Sequence, residues 1–184
     1  VHRKGGMVFE LDYIAKPWNY LDTLTRREEH YHDKFNGSVT LDGYPRRAFL
    51  DHFFAPNTAH EKNGNGAELG NFLTSPYEVS ELKRDGLELH LSAAGTVASA
   101  DGERNVTIEK RYTMKRRALF VEYVLTNKGP GTLEACFAPE MNLSFPDVND
   151  LSLSVQAGKA EEAVTGNVYR GKGAKSFTAD DRKN

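Results

Sequence analysis

The sequence predicts an all-β fold, an antiparallel β-sandwich with at most one short helix near the N-terminus. Two observations carry this. From Ala48 to Phe145 the apolar residues fall in short runs of strand length, several alternating with polar ones, and Gly or Asn-Gly-type turns separate them. The material for a core is also present, with 10 Phe, 8 Tyr and 1 Trp in 184 residues that are 39% hydrophobic. At this length the expectation is a single domain over 1–184.

Met7 to Tyr13 opens the strand pattern. Met7, Phe9, Leu11 and Tyr13 share one face, Glu10 and Asp12 the other, and Gly5-Gly6 punctuates the start. After Pro17, residues Trp18, Leu21, Leu24 and Tyr31 recur at helical spacing. That makes 18–31 the one candidate helix, and an extended segment with buried polar groups stays open as its alternative. Beyond Phe35 short strands follow at Val39–Leu41 and Ala48–Phe54, next to the turn pairs Asn36-Gly37 and Asp42-Gly43. The segment 56–70 reads as a long polar loop around Asn63–Gly66. The clearest strands are Tyr77–Lys83, Leu87–Ala93, Val106–Met114, Leu119–Thr126 and Leu133–Phe145. Leu87, Leu89 and Leu91 oppose Glu88 and His90, so that strand has one wet face, as antiparallel strands commonly do. Weaker strands are expected at Leu151–Val155 and Asn167–Tyr169. No internal repeat suggests a solenoid or propeller.

Charge and composition exclude several function classes. Lys plus Arg number 24 against 26 Asp plus Glu, a formal charge of -2 with no drive toward a polyanion. Nucleic acid is not expected as a partner, and Arg26-Arg27, Arg46-Arg47 and Arg116-Arg117 read as solvated pairs. No apolar run reaches the roughly 20 residues that a membrane helix needs, so no membrane partner is expected either. Cys136 is the only cysteine, which rules out an intrachain disulfide; Ala135 and Phe137 beside it suggest an apolar, unreactive setting. Val1 to Gly6 reads as mid-protein sequence rather than a signal peptide. The chain is therefore expected to be a fragment of a larger, cytoplasmic enzyme.

The short motifs do not hold. Gly64, Gly66 and Gly70 miss the dinucleotide spacing, and Gly171–Ser176 has Ala174 where a phosphate loop needs glycine. Asp147–Asp150 starts like a calcium loop but continues with Leu151 and Ser152. His30 and His32, flanked by Glu28, Glu29 and Asp33, form a ligand-rich stretch without a distant second pair, so no metal and no cofactor are assigned. Glycoside hydrolysis needs two carboxyls about 5–10 Å apart across a sugar. Glu10, Asp12, Asp51 and Glu140 qualify only by lying in strand-like segments, so no catalytic residue is assigned.

Gly5-Gly6 through Glu10-Leu11-Asp12-Tyr13, then Asn19 and Asp22-Thr23-Leu24-Thr25-Arg26-Arg27-Glu28-Glu29 ending in Tyr31-His32, resemble the C-terminal β-sandwich domain of glycoside hydrolase family 57 4-α-glucanotransferases and α-amylases. The resemblance continues through Arg47–Phe53, Glu109–Tyr112 and Glu140–Leu143 to about Phe145. It implies a galactose-mutarotase-like supersandwich. It also implies that the catalytic residues of a retaining α-glucan enzyme lie in a preceding barrel, and that some closing strands are missing here.

Three roles follow. The first is a non-catalytic accessory domain that supports the catalytic barrel and contacts α-glucan, with Trp18, Arg27, His32, Asp51, His52 and Glu140 as candidate carbohydrate-binding residues. The second is a mutarotase-like sugar epimerase using His32, His52 and Glu140 as acid and base. The third is a structural domain in which Asp12, Arg26, Arg27, His32, Asp51, His52 and Glu140 form a buried polar network.

Overall fold

The computed structural model describes residues 1–13, 17–23, 43–56, 66–83, 87–116, 118–147, 151–157, 160–164 and 174–181. Every regular element among them is a strand: β1 Asp12–Tyr13, β2 Trp18–Asn19, β3 Ala48–Phe54, β4 Glu78–Lys83, β5 Glu88–Ser99, β6 Gly102–Lys115, β7 Ala118–Asn127, β8 Cys136–Met141, β9 Leu151–Ala157, β10 Ala160–Ala163 and β11 Ala174–Asp181. All their pairings are antiparallel. The chain divides into two compact units. One comprises Val1–Leu11 and Leu21–Leu143, the other Asp12–Tyr20 and Ser144–Asn184.

In the first unit a four-stranded sheet, β4-β5-β6-β7, packs against the two-stranded sheet β3-β8. Strand β6 shows why. Arg104, Val106, Ile108, Lys110 and Tyr112 are buried, while of the residues between them Asn105, Glu109 and Arg111 are exposed and Thr107 is half-buried, so the period of two gives one core face and one wet face. Burying each aliphatic side chain of that face stabilises the fold by about 1.5–3 kcal/mol. Val97, Leu91 and Ala93 of β5 join it, and Phe53 of β3 closes it from the other layer, its ring centroid 5.5 Å from that of Phe72 and 5.3 Å from that of Phe137.

Strand β3 is different. Leu50, Asp51, His52 and Phe53 are all buried, so this strand is covered on both faces. Its register against β8 slips between Ala48 and Leu50, and Phe49 at that bulge takes a φ of 65°, a left-handed conformation costly for a bulky residue. The bulge turns the Phe49 carbonyl toward Lys110 Nζ, which donates to it at 2.8 Å.

The second unit holds the β1–β2 pair and a three-stranded sheet in the order β10-β9-β11. There the Trp18 indole donates from Nε1 to the Ser144 carbonyl at 3.0 Å, and the Tyr20 ring meets Phe145 edge-on at 5.9 Å.

Several expectations change. Trp18-Asn19 is strand rather than the start of a helix, and Leu21 is core; the rest of the predicted helix, 24–31, lies outside the described residues, as do Val39–Leu41 and Asn167–Tyr169. Met7 and Val8 are both buried and make isolated bridges to His2 and Ala48, because the Gly5-Gly6 turn breaks the alternation that the sequence displayed. Cys136 is exposed, not in an apolar setting. Arg47 is not solvated surface. It is half-buried, donates to the carbonyls of Leu21 and Thr23 at 2.8 and 3.3 Å, and lies 5.0 Å over the Phe9 ring.

Candidate functional site

Because consecutive strand residues point to opposite faces, Asp51 and His52 enter different surroundings. Asp51 points into the core of the first unit. Its carboxylate pairs with Lys110 Nζ at 2.6 Å, both side chains being fully buried, and accepts a hydrogen bond from Tyr77. Lys110 also donates to the Gly5 and Gly6 carbonyls at 3.1 and 3.2 Å and sits 4.8 Å over the Tyr77 ring. Burial pushes the Asp51 carboxyl up and the Lys110 ammonium down, and each charge opposes the shift of the other. Gly5 and Gly6 are required here, with φ of +71° and +55°, and a Cβ on Gly6 would meet the Tyr77 ring at 3.0 Å. This cluster ties four segments together: the Gly5-Gly6 turn, β3, the Tyr77 segment and β6.

His52 faces the other way, into the more open of the two clusters. It lies opposite Ala138 on β8, so Glu140 is its diagonal neighbour on the same face. His52 Nε2 meets Glu140 Oε2 at 2.8 Å and Nδ1 meets Glu68 Oε2 at 2.7 Å. With a carboxylate at each nitrogen, both ring N–H groups donate and the ring is an imidazolium. Burial works against that charge, yet the hydrogen bonds and charges of Glu140 and Glu68 override it and hold the pKa up at about 9. Glu140 is opposed by burial too, but the hydrogen bonds from His52, Asn142 and Tyr44 keep its carboxyl below the usual range. Tyr44 OH donates to Glu140 Oε2 at 2.9 Å, and burial, then the neighbouring Glu140 charge, pushes its own pKa up.

The remaining contacts fix the geometry. Glu68 Oε1 accepts from the Phe53 and Gly70 amides at 2.9 and 3.0 Å. Asn142 Nδ2 donates to Glu140 Oε1 at 2.5 Å and to the Arg47 carbonyl at 3.0 Å. The His52 ring stacks on Phe54, with centroids 5.4 Å apart and planes 13° apart, and Tyr44 meets it edge-on at 5.6 Å. Glu68 and Glu140 keep 25% and 29% of their side chains exposed, so the cluster is a rigid polar platform with an acidic rim. His52, Tyr44 and Asn142 fill three of the roughly four acceptor positions of Glu140.

Of the residues singled out in the sequence, the structure joins His52 and Glu140. It sets Asp51 apart on the core face and places Trp18 in the second unit with its own partner. Arg27 and His32 lie outside the described residues, and Asp12 is exposed. Tyr44, Glu68, Asn142 and Lys110 were missed. Asn142 had a signal, since it stands two residues from Glu140 and so shares its strand face; Glu68 follows a loop whose course no local pattern fixes.

The model of the C-terminal domain of α-amylase/4-α-glucanotransferase matches residues 1–40 and 34–182. The chain belongs to this family, which is the glycoside hydrolase family 57 resemblance read from the sequence. It is similar to a 4-α-glucanotransferase of Thermococcus kodakarensis, 28% identical over 85% of this chain and 27% of that protein. It is also similar to an α-amylase of Pyrococcus horikoshii, 30% identical over 76% of this chain and 22% of that protein. In structure it resembles the crystallised 4-α-glucanotransferase from Thermococcus litoralis, with a TM-score of 0.64 and 30% identity over 77% of this chain and 22% of that one. The chain thus spans about a quarter of the curated relatives it matches, 27% and 22% of their lengths, within the C-terminal part that the family model describes.

Proposed function

We propose that this C-terminal domain is a non-catalytic accessory module of an α-glucan-acting enzyme, that it supports the catalytic barrel, and that it offers α-glucan a polar contact at the His52 platform. The observation that carries this reading is how fully that platform is internally committed. An epimerase needs an acid and a base held apart with a sugar between them. Of the three candidates His32 lies outside the described residues, while His52 Nε2 and Glu140 Oε2 are bonded to each other at 2.8 Å and the other His52 ring nitrogen is held by Glu68. Groups locked in this way orient a surface rather than move protons. The partly exposed carboxylates of Glu140 and Glu68 suit sugar hydroxyls, which are donors, and offer nothing to polyanionic nucleic acid.

Two-dimensional amide spectra recorded while maltose and longer maltooligosaccharides are added test this. Shifts should gather on Tyr44, His52, Glu68, Glu140 and Asn142, and Glu140→Ala should weaken them. A dispersed spectrum untouched by millimolar maltooligosaccharide would remove the glucan contact and leave the supporting role. Acceleration of glucose anomer interconversion by the chain would overturn the non-catalytic reading.

A further inference from the structure

On the wet face of the four-stranded sheet, away from the His52 platform, a second group of ligating side chains comes together. Glu88 and His90 are two apart on β5 and share a face. Glu81 of β4 is paired directly with His90, because the β4–β5 register shifts between Val79 and Glu81 and turns Glu81 onto that face. A carboxylate oxygen from each glutamate and a ring nitrogen of His90 all lie within 4.8 Å of one another. Glu81 Oε2 is 3.1 Å from His90 Nδ1, and Glu88 Oε1 takes the other nitrogen.

We propose that Glu81, Glu88 and His90 form a binding site for a late first-row divalent metal ion, Zn2+ being the reference case. A tetrahedral zinc site with bonds of about 2.0–2.2 Å sets its donors roughly 3.4 Å apart, so binding needs one glutamate to leave its own ring nitrogen of His90 and turn toward the nitrogen that the other glutamate faces. The donor set is one imidazole and two carboxylates, which suits zinc and its neighbours better than calcium or magnesium, whose sites are built from oxygen alone. The side chains of Glu81 and His90 are 42% and 18% exposed, so water can reach the group and complete the coordination.

A cation already occupies the gap between the carboxylates. Lys83 Nζ lies 3.3 Å from Glu81 and 3.6 Å from Glu88. Its side chain is 51% exposed on a flexible stem, so it can swing into solvent when a divalent ion takes its place. Arg111, at 3.6 Å from Glu88 and 3.4 Å from Glu122, lowers affinity without filling the site. Lys83 is thus a competitor of the metal, which gives the proposal two arms of opposite sign.

Calorimetric titration of Zn2+ into the full chain should show saturable binding that Mg2+ and Ca2+ do not displace. His90→Gln and Glu88→Gln should each weaken it by at least about tenfold, and Lys83→Met should tighten it. Circular dichroism of each variant separates lost ligands from lost fold. Absence of binding, an affinity unchanged in a folded H90Q chain, or loss of binding only in a His30→Gln/His32→Gln variant would overturn the proposal. Unchanged affinity in Lys83→Met would overturn the placement of the ion between the two glutamates.

Discussion

His52 and Lys110 are both buried cations paired with carboxylates, and their surroundings make them behave differently. The folded pKa of His52, about 9, stands above its unfolded value of 6.5. The stability it contributes is fully present below pH 6.5 and is lost as pH rises through 9, an effect on the order of 3 kcal/mol. Denaturant unfolding between pH 6 and 10 should show that loss, and His52→Gln should flatten the curve; a flat wild-type curve would contradict the imidazolium assignment. Lys110 answers a different test. Lys110→Met strands the buried Asp51 carboxylate and the carbonyls of Gly5, Gly6 and Phe49, and should cost about 3–5 kcal/mol. Asp51→Leu combined with Lys110→Met removes both charges, and unfolding of the double variant should recover much of that loss. Equal destabilisation of single and double variants would mean that the carbonyl contacts, rather than the ion pair, dominate.

At the scale of elements, strand β6 is paired along most of its length on both sides, whereas β4 is an edge with exposed Val79 and Leu82. Amide exchange should therefore be slowest in β6 and markedly faster in β4, and comparable protection in the two would show the edge to be covered in solution. The same contrast explains what the sequence disclosed. Residues 106–114 and 119–126 alternate because one face is core and the other water, and β6 and β7 contain both runs. Ala48–Phe54 was legible from its apolar content alone, although burial on both faces hid which residue would point where. Strand β11 was not read at all: Lys175, Ser176, Thr178 and Asp180 give it no apolar rhythm, and only its pairing with β9 makes it a strand.

Across the whole molecule, class and family were readable because motifs such as Arg47–Phe53 and Glu140–Leu143 overlap the paired strands β3 and β8, which carry the His52 platform. The platform itself was half legible. His52 and Glu140 were named, but Glu68 and Tyr44 arrive from segments whose path depends on tertiary packing rather than on spacing. The Lys110 cluster was invisible for the same reason, and its geometry bears on the order in which the chain can settle. Lys110 comes 105 residues after the Gly5 carbonyl that it holds. On a ribosome that adds about 5–20 residues per second, the glycine turn waits for several seconds until β6 has emerged. The turn's place is thus reserved early in synthesis and filled late.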